Sequence, residues 1–283
     1  MPLKRTVLAG VVAFGLVAHS FVDRVNAEVL HTFGSSLGQE VTSLIAVSRS
    51  KLAPLVPSEY TIVPASSLLL GTPDQGILAI VNYRGTNPVV DGRLSSNQPW
   101  VVIDVGILIV EPAAAASVGV NFPGAYHFYT VSIHTNVALY HASLRNAQMP
   151  VEHVENITYQ RDMDDATGSG NLFVSIPAKH PFLYSMHTGF GYALAPGALN
   201  AAFWHNGPRG TSVLNFTDQP FRQGNALSNI YTRPGSSLNA LLDGGGLGPC
   251  TTDPQTGFNC IIAPSLNLRY DQGSIGKLQL IKK

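Results

Sequence analysis

The sequence is short of charge. Only 12% of its 283 residues are Asp, Glu, Lys or Arg, about half the ~25% usual in soluble domains. Basic and acidic residues balance at 17 each, so no positive excess exists from which to build a phosphate-tracking surface, and nucleic acid is not an expected partner. Cysteine is nearly absent, at two residues, which rules out a multi-thiol metal centre. Beyond the first 27 residues no run is apolar enough to span a bilayer. Glycine (27) and proline (19) are spread along the chain, which excludes a helical bundle or coiled coil, and 45% apolar residues are too many for disorder. What remains is one well-buried, turn-rich domain, of the size all-β domains reach at roughly 200–250 residues.

The amino terminus reads separately. Lys4 and Arg5 precede an uninterrupted small and apolar run from Val7 to Ala18, and Val25-Asn26-Ala27 supplies a small-x-small cleavage signature before Glu28. This is the layout of a secretory signal peptide over residues 1–27; the run is too short for a membrane anchor. Its removal takes away Lys4, Arg5 and Arg24 but only one acid, Asp23, leaving a near-neutral exported chain. The expectation is a secreted or periplasmic protein with one β-rich domain at 28–283 that includes an N-terminal arm at 28–54.

The cysteines agree with export. Cys250 and Cys260 bracket a turn-rich stretch, and an oxidising compartment makes a local disulfide the expected state. Two sequons, at Asn156 and Asn215, matter only in a glycosylating host.

Glu28–Ser50 carries a mild helical pattern in Leu30, Phe33, Leu37, Val41 and Ile45. Prolines at 54, 57 and 64 then forbid long regular structure. The runs Gly76–Tyr83 and Trp100–Val110 are β-branched and bounded by turn residues. The second is apolar on both faces, as a central strand should be. Asp104 lies inside it, and a carboxylate there must be hydrogen-bonded, paired or facing a cavity. Tyr126–Ile133 reads as a further strand. The period then changes: from a cap at Thr135 or Asn136, residues Val137, Tyr140, Leu144 and Ala147 share a helical face, and Pro150 ends it. Val151–Tyr159 and Asn171–Ile176 read as a hairpin, with short strands at Leu183–Thr188, Ala201–His205, Ser212–Phe216 and Leu266–Tyr270. One helix amid some ten short strands predicts a mainly β (α+β) fold, a single-domain antiparallel β-barrel or sandwich with few helices.

This order of segments resembles the acetoacetate decarboxylase superfamily. Leu55-Val56-Pro57-Ser58-Glu59-Tyr60 is similar to the Leu-Pro-x-Gly-Tyr stretch that opens that family's core. Trp100–Val110 with Asp104 resembles its long apolar strand with an acid near the start. Tyr126–Ile133, the helix at Asn136–Ala147, the turn Gln148-Met149-Pro150-Val151 and the hairpin Glu152–Ile176 follow the family's order, over roughly residues 55–176. In the decarboxylases the lysine after that proline forms a Schiff base with the keto acid. Here Val151 and Glu152 follow Pro150, and the lysines outside the leader are Lys51, Lys179, Lys277, Lys282 and Lys283, only the terminal two adjacent. A Schiff-base amine needs desolvation beside another cation. The resemblance therefore implies the family's pocket without its lysine chemistry.

The same overlay implies a site with Asp104, Glu152 and His141 as catalytic groups and Arg145 as a clamp for a substrate carboxylate. Trp204, His205 and Arg209, around the turn pair Asn206-Gly207, are candidate substrate-binding residues on a loop. His127, His134 and His141 are seven apart, but an odd separation puts two such residues on opposite faces of a strand. His153, His180, His187 and His205 have no ligand spacing, and the Asp162–Asp165 run lacks the glycine and glutamate of a calcium loop. No metal and no cofactor are expected. Three readings follow: an enzyme acting on a small carbonyl or carboxylate compound by acid–base chemistry, a carrier of a small apolar ligand, and, more weakly, a protein that packs against copies of itself.

Overall fold

A computed structural model describes residues 27–176 and 183–282, the side chains at 183, 184, 186 and 190–197 excepted. The leader up to residue 26, Lys179, His180 and Lys283 lie outside the described residues. The strands in chain order are β1 Glu28–Gly34, β2 Leu37–Ser48, β3 Gln75–Thr86, β4 Val89–Val90, β5 Arg93–Leu94, β6 Trp100–Ile109, β7 Tyr126–Thr135 and β8 Val151–His153. They continue with β9 Thr158–Met163, β10 Gly170–Ser175, β11 Leu183–Gly207, β12 Gly210–Thr232, β13 Gly248–Cys250, β14 Asn259–Tyr270 and β15 Ile275–Lys282. Helices are few: α1 Arg49–Leu52, α2 Ala138–Asn146 and α3 Ser237–Leu242.

All of these strands join one sheet. The run of neighbours β12–β14–β2–β3–β6–β7–β11 returns to β12, because β11 and β12 also pair with each other. The result is a barrel-like ring of hydrogen bonds. Most pairings are antiparallel, but β7 runs parallel to β11 over Tyr126–Tyr129 and Ala201–Trp204, and parallel to β8 over Ile133–Thr135. The four short strands expected at 183–188, 201–205, 212–216 and 266–270 are pieces of longer ones: β11 and β12 form a single ribbon from Leu183↔Thr232 to Gly207↔Gly210. Glycines and polar turn residues inside that ribbon read as ends when they are irregularities of the ladder, with register shifts at Gly189/Tyr192, Leu194/Ala198 and Leu199/Ala201.

The helical reading of Glu28–Ser50 is corrected to β1 and β2. Leu37, Val41 and Ile45 are four apart, an even number, so the spacing that suits a helix also keeps them on one face of a strand. β2 sits between β14 and β3 with both faces covered, which hides its alternation. Residues 28–48 are thus part of the sheet rather than an arm. The expected helix is α2, with Val137, Tyr140, Leu144 and Ala147 all buried. Neither expected residue caps it in the usual way. The N-cap is Val137, while Asn136 spends its amide on β6, accepting from Val101 N at 2.8 Å and donating to Pro99 O at 3.0 Å. The expected strand Val151–Tyr159 is split: Val151–His153 is β8, paired with β7, and the hairpin is β9–β10, in register from Met163↔Gly170 to Thr158↔Ser175.

All ten residues of β6 are buried. Trp100, Val102 and Leu108 face one core, with Phe33, Val81, Phe128, Tyr140 and Phe203. Ile103, Val105 and Ile107 face the other, where the β9–β10 hairpin packs through Leu172 and Val174. A strand sandwiched this way shows as a continuous apolar run, and any polar side chain in it stands out.

Candidate active site

The alternation of β6 that buries Trp100 and Val102 on the inner face puts Asp104 there too. These three residues line a cavity of about 90 Å³ inside the ring, enough for a handful of waters or one small organic molecule. β2 adds Glu40, Thr42 and Leu44, and β3 adds Val81 and Tyr83. Tyr126 and Phe128 come from β7, Ala201 and Phe203 from β11, Phe216 and Gln219 from β12, and Leu268 and Tyr270 from β14. Tyr140 of α2 reaches in from its buried face. Every strand of the ring contributes.

The lining is mostly apolar and aromatic; besides the tyrosine hydroxyls its polar side chains are the two carboxyls, Thr42, Gln219 and Ser274. Four rings run in series: Tyr270 to Tyr83 at 6.3 Å between centroids, Tyr83 to Trp100 at 5.5 Å and Trp100 to Tyr140 at 4.5 Å, the last two edge to face. Tyr83 and Tyr270 crowd against Gly38, where a Cβ would meet the Tyr83 hydroxyl and Tyr270 Cδ2, both at 2.9 Å. A bare backbone at position 38 is what lets the two rings stand where they do.

Glu40 and Asp104 differ in their partners. Glu40 accepts from Thr42 Oγ1 at 2.5 Å and from Tyr270 Oη at 2.9 Å. Burial pushes its pKa up, and these two bonds offset only part of that rise. Asp104 is 5% exposed, and its Oδ1 has no hydrogen-bond partner. Loss of hydration, and secondarily the negative charge of Glu40, push the Asp104 pKa up to about 8. It is therefore a neutral carboxylic acid at pH 7. Burial also lifts the phenols: Tyr83, held by Ser274 at 2.5 Å and Ser35 at 2.6 Å, is pushed up to about 12, and Tyr140 and Tyr270 go well above their usual value. No lysine, arginine or histidine is among the described lining residues.

Of the residues singled out in the sequence, only Asp104 lines this cavity. Arg145 is exposed on the outer face of α2. His141, on the same helix, lies beside His153, the two rings tilted with centroids 5.7 Å apart. Glu152 lies on β8 with a carboxylate oxygen 3.5 Å from His134 Nε2. Trp204 is fully buried in a separate small core and donates to His127 Nδ1 at 3.2 Å. His205 Nδ1 is 3.3 Å from Thr130 O, and Arg209 donates to Asn146 O at 3.1 Å from the surface. The structure gathers these six into no common site with Asp104. Glu40 is the functional candidate that sequence reasoning missed. It sat in a stretch read as helix, yet the signal was the same as for Asp104: a carboxylate followed directly by β-branched Val41 and Thr42 in a strand.

Val131 is a bulge in β7, since Val105 pairs with Ser132 and Gly106 with Thr130. The extra residue returns His127 and His134, opposite Ile109 and Ile103, to the same face of the sheet. Six strand residues still separate them by roughly 20 Å, and no group of three metal-capable side chains occurs among the described residues. Cys250 and Cys260 pair across β13 and β14 as a disulfide with Cα atoms 5.0 Å apart. Asn215 is 2% exposed and donates to Val118 O and Gln279, so folding hides that sequon, whereas Asn156 is exposed.

No family model matches the chain, and no curated protein does. Among solved structures it is similar to an acetoacetate decarboxylase, at 10% identity over 91% of each chain with a TM-score of 0.50. It is equally similar to an acetoacetate decarboxylase-like enzyme from Sphingomonas wittichii RW1, at 8% identity over 92% of this chain and 94% of the other, TM-score 0.50. The chain has an acetoacetate decarboxylase-like fold, and at such identities the likeness is one of fold.

Proposed function

We propose that this protein is an enzyme, acting outside the cytoplasm, that moves protons on a small and largely apolar carbonyl compound by acid–base chemistry without a Schiff base. The observation that carries the reading is Asp104: a buried carboxyl with an unpartnered oxygen, neutral at pH 7, in a largely apolar cavity beside Glu40. A neutral carboxylic acid can donate a hydrogen bond to a carbonyl oxygen and stabilise negative charge developing there. Glu40, whose ionised form accepts from Thr42 and Tyr270, is the base that takes a proton from the adjacent carbon. Returning a proton to the same carbon gives exchange with solvent, and returning it to the far carbon of an unsaturated ketone moves the double bond.

The described lysines support a reaction without an amine nucleophile. Lys51 donates to Ala240 O and Asp243 O, Lys282 pairs with Glu28 at 2.7 Å, Lys277 is exposed, and none lines the cavity. The acetoacetate decarboxylase-like fold is consistent with a small-molecule enzyme. The test is proton NMR in D2O of small neutral ketones with the protein. Deuterium entering the position next to the carbonyl, faster than in buffer, supports the reading. Absence of exchange at high protein concentration overturns it.

The aromatic lining favours one second reading, a carrier that holds a small apolar molecule. Native mass spectrometry showing a stoichiometric co-purified ligand, together with no exchange, would select it.

A further inference from the structure

The cavity holds two carboxyl groups, and no basic side chain is among its described lining residues. Glu40 is anchored by two hydroxyls, so when ionised its charge is fixed in place. From it runs the series of rings Tyr270, Tyr83, Trp100 and Tyr140. Aromatic faces carry negative electrostatic potential and attract cations within about 6 Å. A carboxylate in a poorly hydrated site with no cationic partner is costly. Something positive would be welcome there, and an anionic ligand would be repelled by the ionised Glu40.

We infer that the molecule this cavity takes is a small organic cation, an amine or quaternary ammonium joined to a carbonyl group, with the positive nitrogen among the rings beside Glu40 and the carbonyl oxygen at Asp104. The assignment rests on the acid–base reading above for its carbonyl end, but not for its charge. Glu40 and Asp104 stand on β2 and β6 with β3 between them: Thr42 pairs with Val81, and Val81 with Asp104. Two strand spacings and a two-residue offset separate their Cα atoms by about 12 Å, room for a short ligand to touch both. The arrangement selects against the carboxylate of a keto acid, and so against the decarboxylation substrate that a lysine-bearing pocket would attract.

Three ketones of one shape test the charge. (Trimethylammonio)acetone, 4,4-dimethylpentan-2-one and acetoacetate share CH3–CO–CH2– and end in a cation, its neutral carbon isostere and an anion. Calorimetric titration of the full mature protein at pH 7 is expected to give at least tenfold tighter binding of the cation than of the neutral ketone, with the anion weakest. Tetramethylammonium, which has no carbonyl, should bind and compete. The titratable groups that line the cavity with Asp104 are Glu40 from β2, Tyr83 from β3, Tyr126 from β7, Tyr270 from β14 and Tyr140 from α2; burial carries the phenols of Tyr83, Tyr140 and Tyr270 far above neutrality, while Asp104 titrates near 8. Cation affinity should therefore rise as pH is taken from 7 to 9, while affinity for the neutral ketone falls as Asp104 loses its proton. Glu40→Gln should lower the cation's affinity at least tenfold; were that variant to fail to fold, the opposed pH trends on the unaltered protein decide the matter alone. Equal binding of cation and neutral isostere, or preference for the anion, overturns the inference. Exchange on the neutral ketone with no cation preference would overturn it while leaving the acid–base reading standing; cation binding without exchange would do the reverse.

Discussion

Asp104 and Glu40 face one cavity from strands two apart, one neutral and unpartnered, the other held by Thr42 and Tyr270. Burial raises both carboxyls, but only Glu40 has hydrogen-bond donors that favour its ionised form, and a difference of that kind is how a single cavity acquires an acid and a base at the same pH.

The first consequence is on stability. Asp104 titrates near 8 folded against 3.8 in an ordinary setting, so the folded state binds its proton more tightly and stability falls as pH rises between those values. His127 and His187, buried with pKa values lowered to about 4 and 3, act in the opposite sense, but only below their ordinary value of 6.5. From pH 6.5 to 8 the Asp104 effect stands alone among these groups, at up to about 1.4 kcal/mol per pH unit. Chemical denaturation should show the protein losing stability over that interval and Asp104→Asn losing much less.

Arg145→Ala should leave ketone binding and exchange unchanged, and stability within about 0.5 kcal/mol, because Arg145 lies exposed on the far side of α2 from Tyr140. The sequence overlay expects a raised KM instead. Titration of the variant separates the two.

Gly38→Ala would set a Cβ 2.9 Å from both cavity tyrosines. Overpacking of this kind costs about 1–3 kcal/mol, and here the rings can yield only by moving relative to Glu40. The variant should bind ligand several-fold more weakly than its loss of stability alone would explain, as judged by calorimetry at a temperature where it is fully folded.

The Cys250–Cys260 disulfide spans a separation of 10 residues. Closing so short a loop is worth about 3 kcal/mol on chain entropy. Cys250→Ser, or reduction, should lower unfolding stability by that order and leave the cavity, which neither cysteine lines, competent to bind.

Much of the fold was legible because its signals were local. β6 announced itself as a sandwiched strand, Asp104 as its anomaly, and α2 by the change of period at Val137. What was hidden depended on long-range pairing. β2 is buried on both faces, so it showed no alternation, and its spacing of four satisfied helix and strand alike. The β11–β12 ribbon is one element only because each half supports the other across its irregularities. The Val131 bulge leaves no mark in the sequence, and it reverses the face on which His134 falls. For the site, the overlay pointed to the helix–proline turn, where Arg145, His141 and Glu152 lie. The cavity is instead assembled from inner-face residues of strands distant in the chain, and Glu40 could be matched with Asp104 only once β3 was known to separate them.

The central claim is that Asp104 is the acid of a working site. The direct measurement is deuterium exchange next to the carbonyl of 4,4-dimethylpentan-2-one, followed by NMR at pH 7 with the unaltered protein and with Asp104→Asn. The account predicts a rate about 10²–10⁴-fold lower in the variant, falling in the unaltered protein as pH passes through 8. Equal rates in the two proteins, with both folded, would contradict it.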